Sequence, residues 1–168
     1  HKKALIYTNK ALAIRPDSYK AYFNLGNMLK ERGEYEKAIE QYNCAIRLKP
    51  DYAEAYYNRG LTLHNLGRLD QAVECFDDAL QLNPNYADAH SSRGSALKDL
   101  GHYTKAIESF KKSLSIDPNS FNTQFLLNAL TGKKTSRAPK EYVESVFNEH
   151  ATHFEEHLVE KLGYKAPE

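Results

Sequence analysis

Cysteine is scarce in this sequence: Cys44 and Cys75 are the two in 168 residues, and they form neither a CxxC pair nor a metal-ligand spacing. That argues against a disulfide framework or a cysteine-built zinc site, and reduced thiols packed on helices are the expected state. Neither is expected to act as a nucleophile. An excess of one charge is missing too, with 23 Lys and Arg against 22 Asp and Glu for a net +1. Binding phosphates needs a concentrated basic face, so no nucleic-acid partner is expected. No apolar run approaches the roughly 20 residues of a membrane span, and HKKALIYTNK does not read as a secretory signal. At 27% charged and 41% hydrophobic residues, the chain suits a cytoplasmic domain with a modest core rather than a disordered or collagenous one.

Free glycine and proline are also rare, because most of both fall into columns. Pro16, Pro50, Pro84 and Pro118 stand 34 residues apart (50 − 16, 84 − 50, 118 − 84). Gly26, Gly60 and Gly94 keep that interval, as do Gly33, Gly67 and Gly101, then Ala38, Ala72 and Ala106, then Tyr42, Phe76 and Phe110. Six of the eight glycines and four of the six prolines lie in these columns, so little unusual backbone remains for a catalytic loop. No catalytic residue and no cofactor are expected.

Each column has a physical reason. Asp17, Asp51, Asn85 and Asn119 follow the prolines, where they could accept hydrogen bonds from the free N–H groups that open a helix. In YKAYFNLGNMLKER, Tyr22, Leu25 and Leu29 recur at helical spacing. Gly33 is expected to end that helix in the left-handed conformation. Tyr42, Ala45, Ile46 and Leu48 are expected to form the apolar stripe of a second helix that Pro50 stops.

A fixed period of 34 with small, aromatic and proline columns resembles the tetratricopeptide repeat, a helix-turn-helix unit. The resemblance implies an all-α fold, a right-handed superhelical solenoid of antiparallel helix pairs, with Gly26 and Ala38 where the two helices of a repeat approach most closely. The expected units are residues 17–50, 51–84 and 85–118, with a capping helix at 119–131 that covers the last repeat through Phe121, Phe125, Leu126 and Ala129. Residues 1–16, with Ala4 and Ala11 in the alanine columns, read as the second helix of a truncated repeat. That implies a piece cut from a longer protein.

In this family the first helices line the concave face, which makes the groove positions readable. They are Phe23, Tyr57 and Ser91; Asn24, Asn58 and Ser92; Asn27, Leu61 and Ser95; Lys30, His64 and Lys98; and Glu31, Asn65 and Asp99. Asn24 and Asn58 share a column, and a side-chain amide offers both donor and acceptor to an extended peptide backbone. The pair resembles the asparagine ladder of O-linked N-acetylglucosamine transferases, broken here at Ser92. A two-carboxylate clamp for chaperone tails does not fit: Asn27 and Asn58 suit it, but Asp88 and Ser92 stand where it needs Lys and Arg, and Asp88 would repel a carboxylate. The groove is expected to bind a protein or peptide partner.

Beyond the repeats the pattern changes. TGKKTSRAPK, which contains an expected linker at 132–139, has glycine, serine and proline and no acidic residue. Residues 140–168 then read as an amphipathic helix, with Pro139 in its first turn, and Glu141 and Glu144 near the positive end of its dipole. Val143, Phe147, Ala151, Phe154, Leu158 and Leu162 form its apolar stripe. The string ALTG, RAP-EYV--VF and F-EHLVEKLGY-AP is similar to the junction in bacterial proteins where these repeats precede an S-adenosylmethionine-dependent methyltransferase domain. The resemblance implies that this segment leads towards a catalytic domain, with Tyr142, Phe147, Phe154, Leu158 and Leu162 as interdomain or oligomer contacts. No glycine-rich strand-turn-helix for the cofactor occurs in the sequence. His150, His153 and His157 have a spacing that could share a metal, but no fourth ligand arrives and the expectation is a polar helix face, not a metal site. The functional expectation is a protein-protein interaction scaffold, the N-terminal part of a methyltransferase; the alternative is the repeat region of an adaptor or glycosyltransferase-like protein. A homo-oligomer through the C-terminal helix or the truncated N-terminal end is also expected to be possible.

Overall fold

The computed structural model describes Leu12 and residues 15–133. The expected N-terminal helix with Ala4 and Ala11, the linker beyond Lys133, the histidines 150, 153 and 157, and the amphipathic segment with Tyr142, Phe147, Phe154, Leu158 and Leu162 lie outside the described residues.

Among the described residues there are seven helices and no strand. They are α1 (Tyr19–Glu31), α2 (Tyr35–Leu48), α3 (Ala53–Asn65), α4 (Leu69–Leu82), α5 (Ala87–Asp99), α6 (Tyr103–Ile116) and α7 (Phe121–Thr131). Each packs most closely on its sequence neighbours, so α1–α2, α3–α4 and α5–α6 are hairpins stacked in order. This is the all-α solenoid that the 34-residue period predicts. Besides these neighbours, α1 touches α3 and α3 touches α5, while the second helices approach one another less. The stack is therefore tighter on the first-helix side, and that side is concave.

The columns explain the hairpins. Tyr42, Phe76 and Phe110 are fully buried, and their rings lie against the glycines of the partner helix. A Cβ on Gly60 would stand 2.7 Å from Cε1 of Phe76, closer than real contacts allow. Gly67 has another duty: its φ of +72° is a conformation that L side chains rarely adopt, and it closes α3. The core runs through the stack as successive clusters, Leu25 with Leu29, Ala38 and Tyr42, then Leu63 with Ala72 and Phe76, then Leu97 with Ala106 and Phe110.

Three local expectations need correction. The N-caps are not Asp17, Asp51, Asn85 and Asn119 but the next residues, Ser18, Tyr52, Tyr86 and Ser120. Of these only Ser18 accepts a side-chain bond, from Ala21 N at 3.3 Å. The reason is a turn around the proline. Asn83 Oδ1 accepts from Asn85 N at 3.2 Å and Asp117 Oδ1 from Asn119 N at 3.1 Å, so the residue before Pro84 and before Pro118 closes the turn; Arg15 and Lys49, before the other two prolines, have no side-chain acceptor. Leu48, expected in the apolar stripe, is 44% exposed at the last residue of α2, with Leu82 alike at the end of α4. In α7 the covering face is only partly the expected one: Leu126 packs as expected. Phe121 and Ala129 are exposed, and Leu126, Leu127 and Leu130 pack on the last core cluster around a buried Thr123. These positions, at steps of three and four, trace one helical stripe.

Candidate functional site

Three first helices, α1, α3 and α5, bring the predicted groove positions to one concave face, though their side chains have different engagements. Asn24 is exposed and makes no side-chain hydrogen bond among the described residues. Asn58, one repeat on, is fully engaged. Its Oδ1 accepts from Lys30 Nζ at 2.9 Å, and its Nδ2 donates to the Glu54 carbonyl at 2.9 Å. Asn27 is tied inward, its Oδ1 accepting from the Tyr42 hydroxyl at 2.7 Å. Ser92 Oγ lies 3.4 Å from the Tyr57 hydroxyl.

The C-terminal ends of the three first helices form a rim with one set of charges. His64 Nε2 lies 3.0 Å from Asp99 Oδ2, and Lys98 Nζ lies 3.2 Å from the other carboxylate oxygen. The Lys30 ammonium is half-buried, and desolvation lowers its pKa against the raising effect of Glu31. Asn65 is exposed next to this rim. The bonds Lys30–Asn58, Tyr57–Ser92 and His64–Asp99 each cross from one repeat to the next, so they hold the first helices in register.

Two predicted groove residues turn towards packing. Phe23 meets Tyr52 at 5.0 Å between ring centroids and Tyr42 at 6.0 Å, and Leu61 packs on the middle core cluster. Tyr57 does both: its ring meets Phe76 at 5.9 Å and Tyr86 at 4.8 Å, while its hydroxyl reaches Ser92. Burial raises the Tyr57 pKa, partly countered by the Ser92 bond. Tyr52 and Tyr86 are groove-edge residues that column reading does not single out. The signal was present, since both stand two residues after a proline column at the same interval. Among the described residues, no group of His, Cys, Asp and Glu could hold a metal ion, and no helix is long and apolar enough to cross a membrane.

A concave face of stacked helix hairpins with amide and hydroxyl side chains along its middle defines a helical-repeat class of protein. Tetratricopeptide repeat models match residues 7–40, 53–86 and 87–120, and a TPR repeat model matches residues 26–67. The chain belongs to the tetratricopeptide repeat family. Among solved structures it is similar to MamA, with a TM-score of 0.72 and 25% identity over 88% of this chain and 87% of that one. It is also similar to the first TPR of Spaghetti (RPAP3) bound to the HSP90 peptide SRMEEVD, with a TM-score of 0.67, 24% identity and coverage of 68% and 90%. The Arabidopsis OM64 TPR domain matches with a TM-score of 0.67, 23% identity and coverage of 69% and 96%. At these identities the likeness is one of fold. No curated protein matches the chain.

Proposed function

We propose that this chain is a protein-interaction scaffold that takes an extended peptide segment on the concave face of α1, α3 and α5. The observation that carries the reading is the middle column of that face, Asn24, Asn58 and Ser92, in which the exposed Asn24 amide is free to bond a peptide backbone. A tetratricopeptide structure of similar fold holds an HSP90 peptide, which supports a peptide ligand here without identifying it. Asp88 in the last repeat argues for a different ligand chemistry from a carboxylate-rich tail. The scaffold carries no chemistry of its own in this proposal, and its two unpaired cysteines suit the cytoplasm.

The test is a peptide array probed with the chain, followed by titration of the best binder. Asn24→Ala is expected to weaken binding by about 1 kcal/mol, the worth of one hydrogen bond. Unchanged affinity, with loss in Lys30→Ala or Lys98→Ala instead, would show that charge rather than backbone pairing drives recognition.

The finer proposal is that the scaffold is the N-terminal part of a methyltransferase, supported by the string from ALTG to LGYKAP. Reading the parent coding sequence past Glu168 tests it. A strand followed by a Gly-x-Gly turn is expected; a different fold there favours an adaptor. Calorimetry of this chain with S-adenosylmethionine is expected to show no binding, because the sequence lacks a glycine-rich cofactor turn. Micromolar affinity overturns that expectation.

A further inference from the structure

The step from the first repeat to the second and the step from the second to the third share an aromatic contact but differ in charge, and the Tyr19 of the first gives way to Ala53 in the second. In the first step Tyr19 meets Tyr52 edge-on with ring centroids 5.2 Å apart. The Lys49 ammonium lies over both rings, 5.0 Å from the centroid of Tyr19 and 5.6 Å from that of Tyr52. In the second step Tyr57 meets Tyr86 at 4.8 Å, as Phe23 meets Tyr52 at 5.0 Å in the first. One repeat after Lys49 stands Asn83, whose side-chain oxygen is turned to the backbone N of Asn85. Among the described residues no cation lies over Tyr57 or Tyr86.

Charge changes in the matching direction. Lys20, Glu54 and Asp88 form one column, each the second residue of a first helix. Glu54 and Asp88 are exposed, and neither is in an ion pair among the described residues. Both stand near the tyrosine pair. The Tyr86 pKa is raised first by burial and then by Tyr57, Glu54, Asp88 and Tyr52, and Asp88 acts on Tyr57 as well.

We propose that Tyr57, Tyr86, Glu54 and Asp88 form a subsite for a cationic side chain, lysine or arginine, of the peptide lying in the groove. The inference rests on the peptide-scaffold reading and adds a chemical preference to it. A tyrosine ring presents a negative face that attracts an ammonium or guanidinium within about 6 Å of its centroid. The first step meets that preference with its own Lys49. The second step has no cation over its rings, and it has two carboxylates, Glu54 and Asp88, where the first has Lys20 and Glu54. A carboxylate in the first turn also favours the helix N-terminus. That role alone would affect thermal stability and leave peptide preference untouched, which separates the two.

A phage-displayed library of random octapeptides, panned on the full chain, tests the subsite. Selected peptides are expected to carry Lys or Arg at one fixed position. In the double variant Glu54→Gln, Asp88→Asn that enrichment is expected to fall about tenfold, given the strengths of cation–π and exposed ionic contacts, with the melting temperature little changed. Glu54→Lys with Asp88→Lys, which extends the sign of Lys20 along the column, is expected to select Asp or Glu there instead. Peptides selected without a basic preference overturn the subsite and leave the groove reading standing, as does a double variant that keeps the preference. If the wild-type chain enriches no peptide at all, the groove reading fails and the subsite with it.

Discussion

Gly60 and Gly67 sit seven residues apart and are glycine for different reasons. A methyl on Gly60 would strike Phe76 and come within 3.2 Å of Cys75 Cβ; a methyl on Gly67 would meet nothing within 4 Å but would strain a left-handed backbone. Gly60→Ala is expected to cost about 1–3 kcal/mol through overpacking, and Gly67→Ala about 1–2 kcal/mol through backbone strain. Thermal melts of each variant combined with Phe76→Leu separate the causes. The smaller ring-free side chain should recover part of the Gly60→Ala loss and none of the Gly67→Ala loss; equal recovery in both would contradict the assignment. The tyrosines give a second check. Burial raises the pKa of Tyr42, Tyr57 and Tyr86 above the ordinary value of roughly 10. A raised phenol pKa in the folded state means stability that is full below pH 10 and lost as pH rises above it, because the unfolded chain ionises first. The melting temperature should fall from about pH 10 upwards, and should fall less steeply in Tyr42→Phe. A parallel decline in wild type and variant would remove Tyr42 as a cause. At this scale the sequence was legible where one constraint acts alone, as at the glycines. It was not legible at the caps, where the side chains of Asn83 and Asp117 compete for the same turn.

The helices themselves followed from the period, and their pairing from the glycines between them. The exception is the contact face of α7. Its sequence, FNTQFLLNALT, spreads apolar residues over more than one face, so periodicity could not choose between Phe121 with Ala129 and Leu127 with Leu130. The choice came from the neighbour: Leu97 and Phe110 offer a surface that takes Leu126, Leu127 and Leu130. Leu130→Ala should therefore cost about 1–3 kcal/mol, below the full range for a buried leucine because the residue is half-buried. In a stacked array each unit leans only on its neighbours, so the damage should stay local. Hydrogen exchange is expected to quicken in α6 and α7 while α1–α3 keep their protection. Uniform loss along the chain would show the described residues to be one cooperative block instead.

At the scale of the molecule, the columns identified the concave face but not which of its side chains are available to a ligand. Availability depends on diagonal contacts between repeats, Lys30 to Asn58 and His64 to Asp99, which a column hides. Asn24 and Asn58 look equivalent in sequence, yet the first is unengaged and the second holds two partners. Their alanine variants should therefore behave differently. Asn24→Ala should leave the melting temperature unchanged and weaken a peptide selected on the wild-type chain. Asn58→Ala leaves a half-buried Lys30 ammonium without its acceptor, and should destabilise the fold by about 1 kcal/mol. A double-mutant cycle of Asn58→Ala with Lys30→Met measures the bond itself, with an expected coupling in stability of about 0.5–1.5 kcal/mol for a hydrogen bond to a charged donor in a partly exposed setting. The same cycle run on peptide affinity should give a smaller coupling, because the bond between repeats is already made in the free chain. Coupling that appears only in affinity would mean that the ligand brings Lys30 and Asn58 together. The groove would then form on binding rather than stand ready for it.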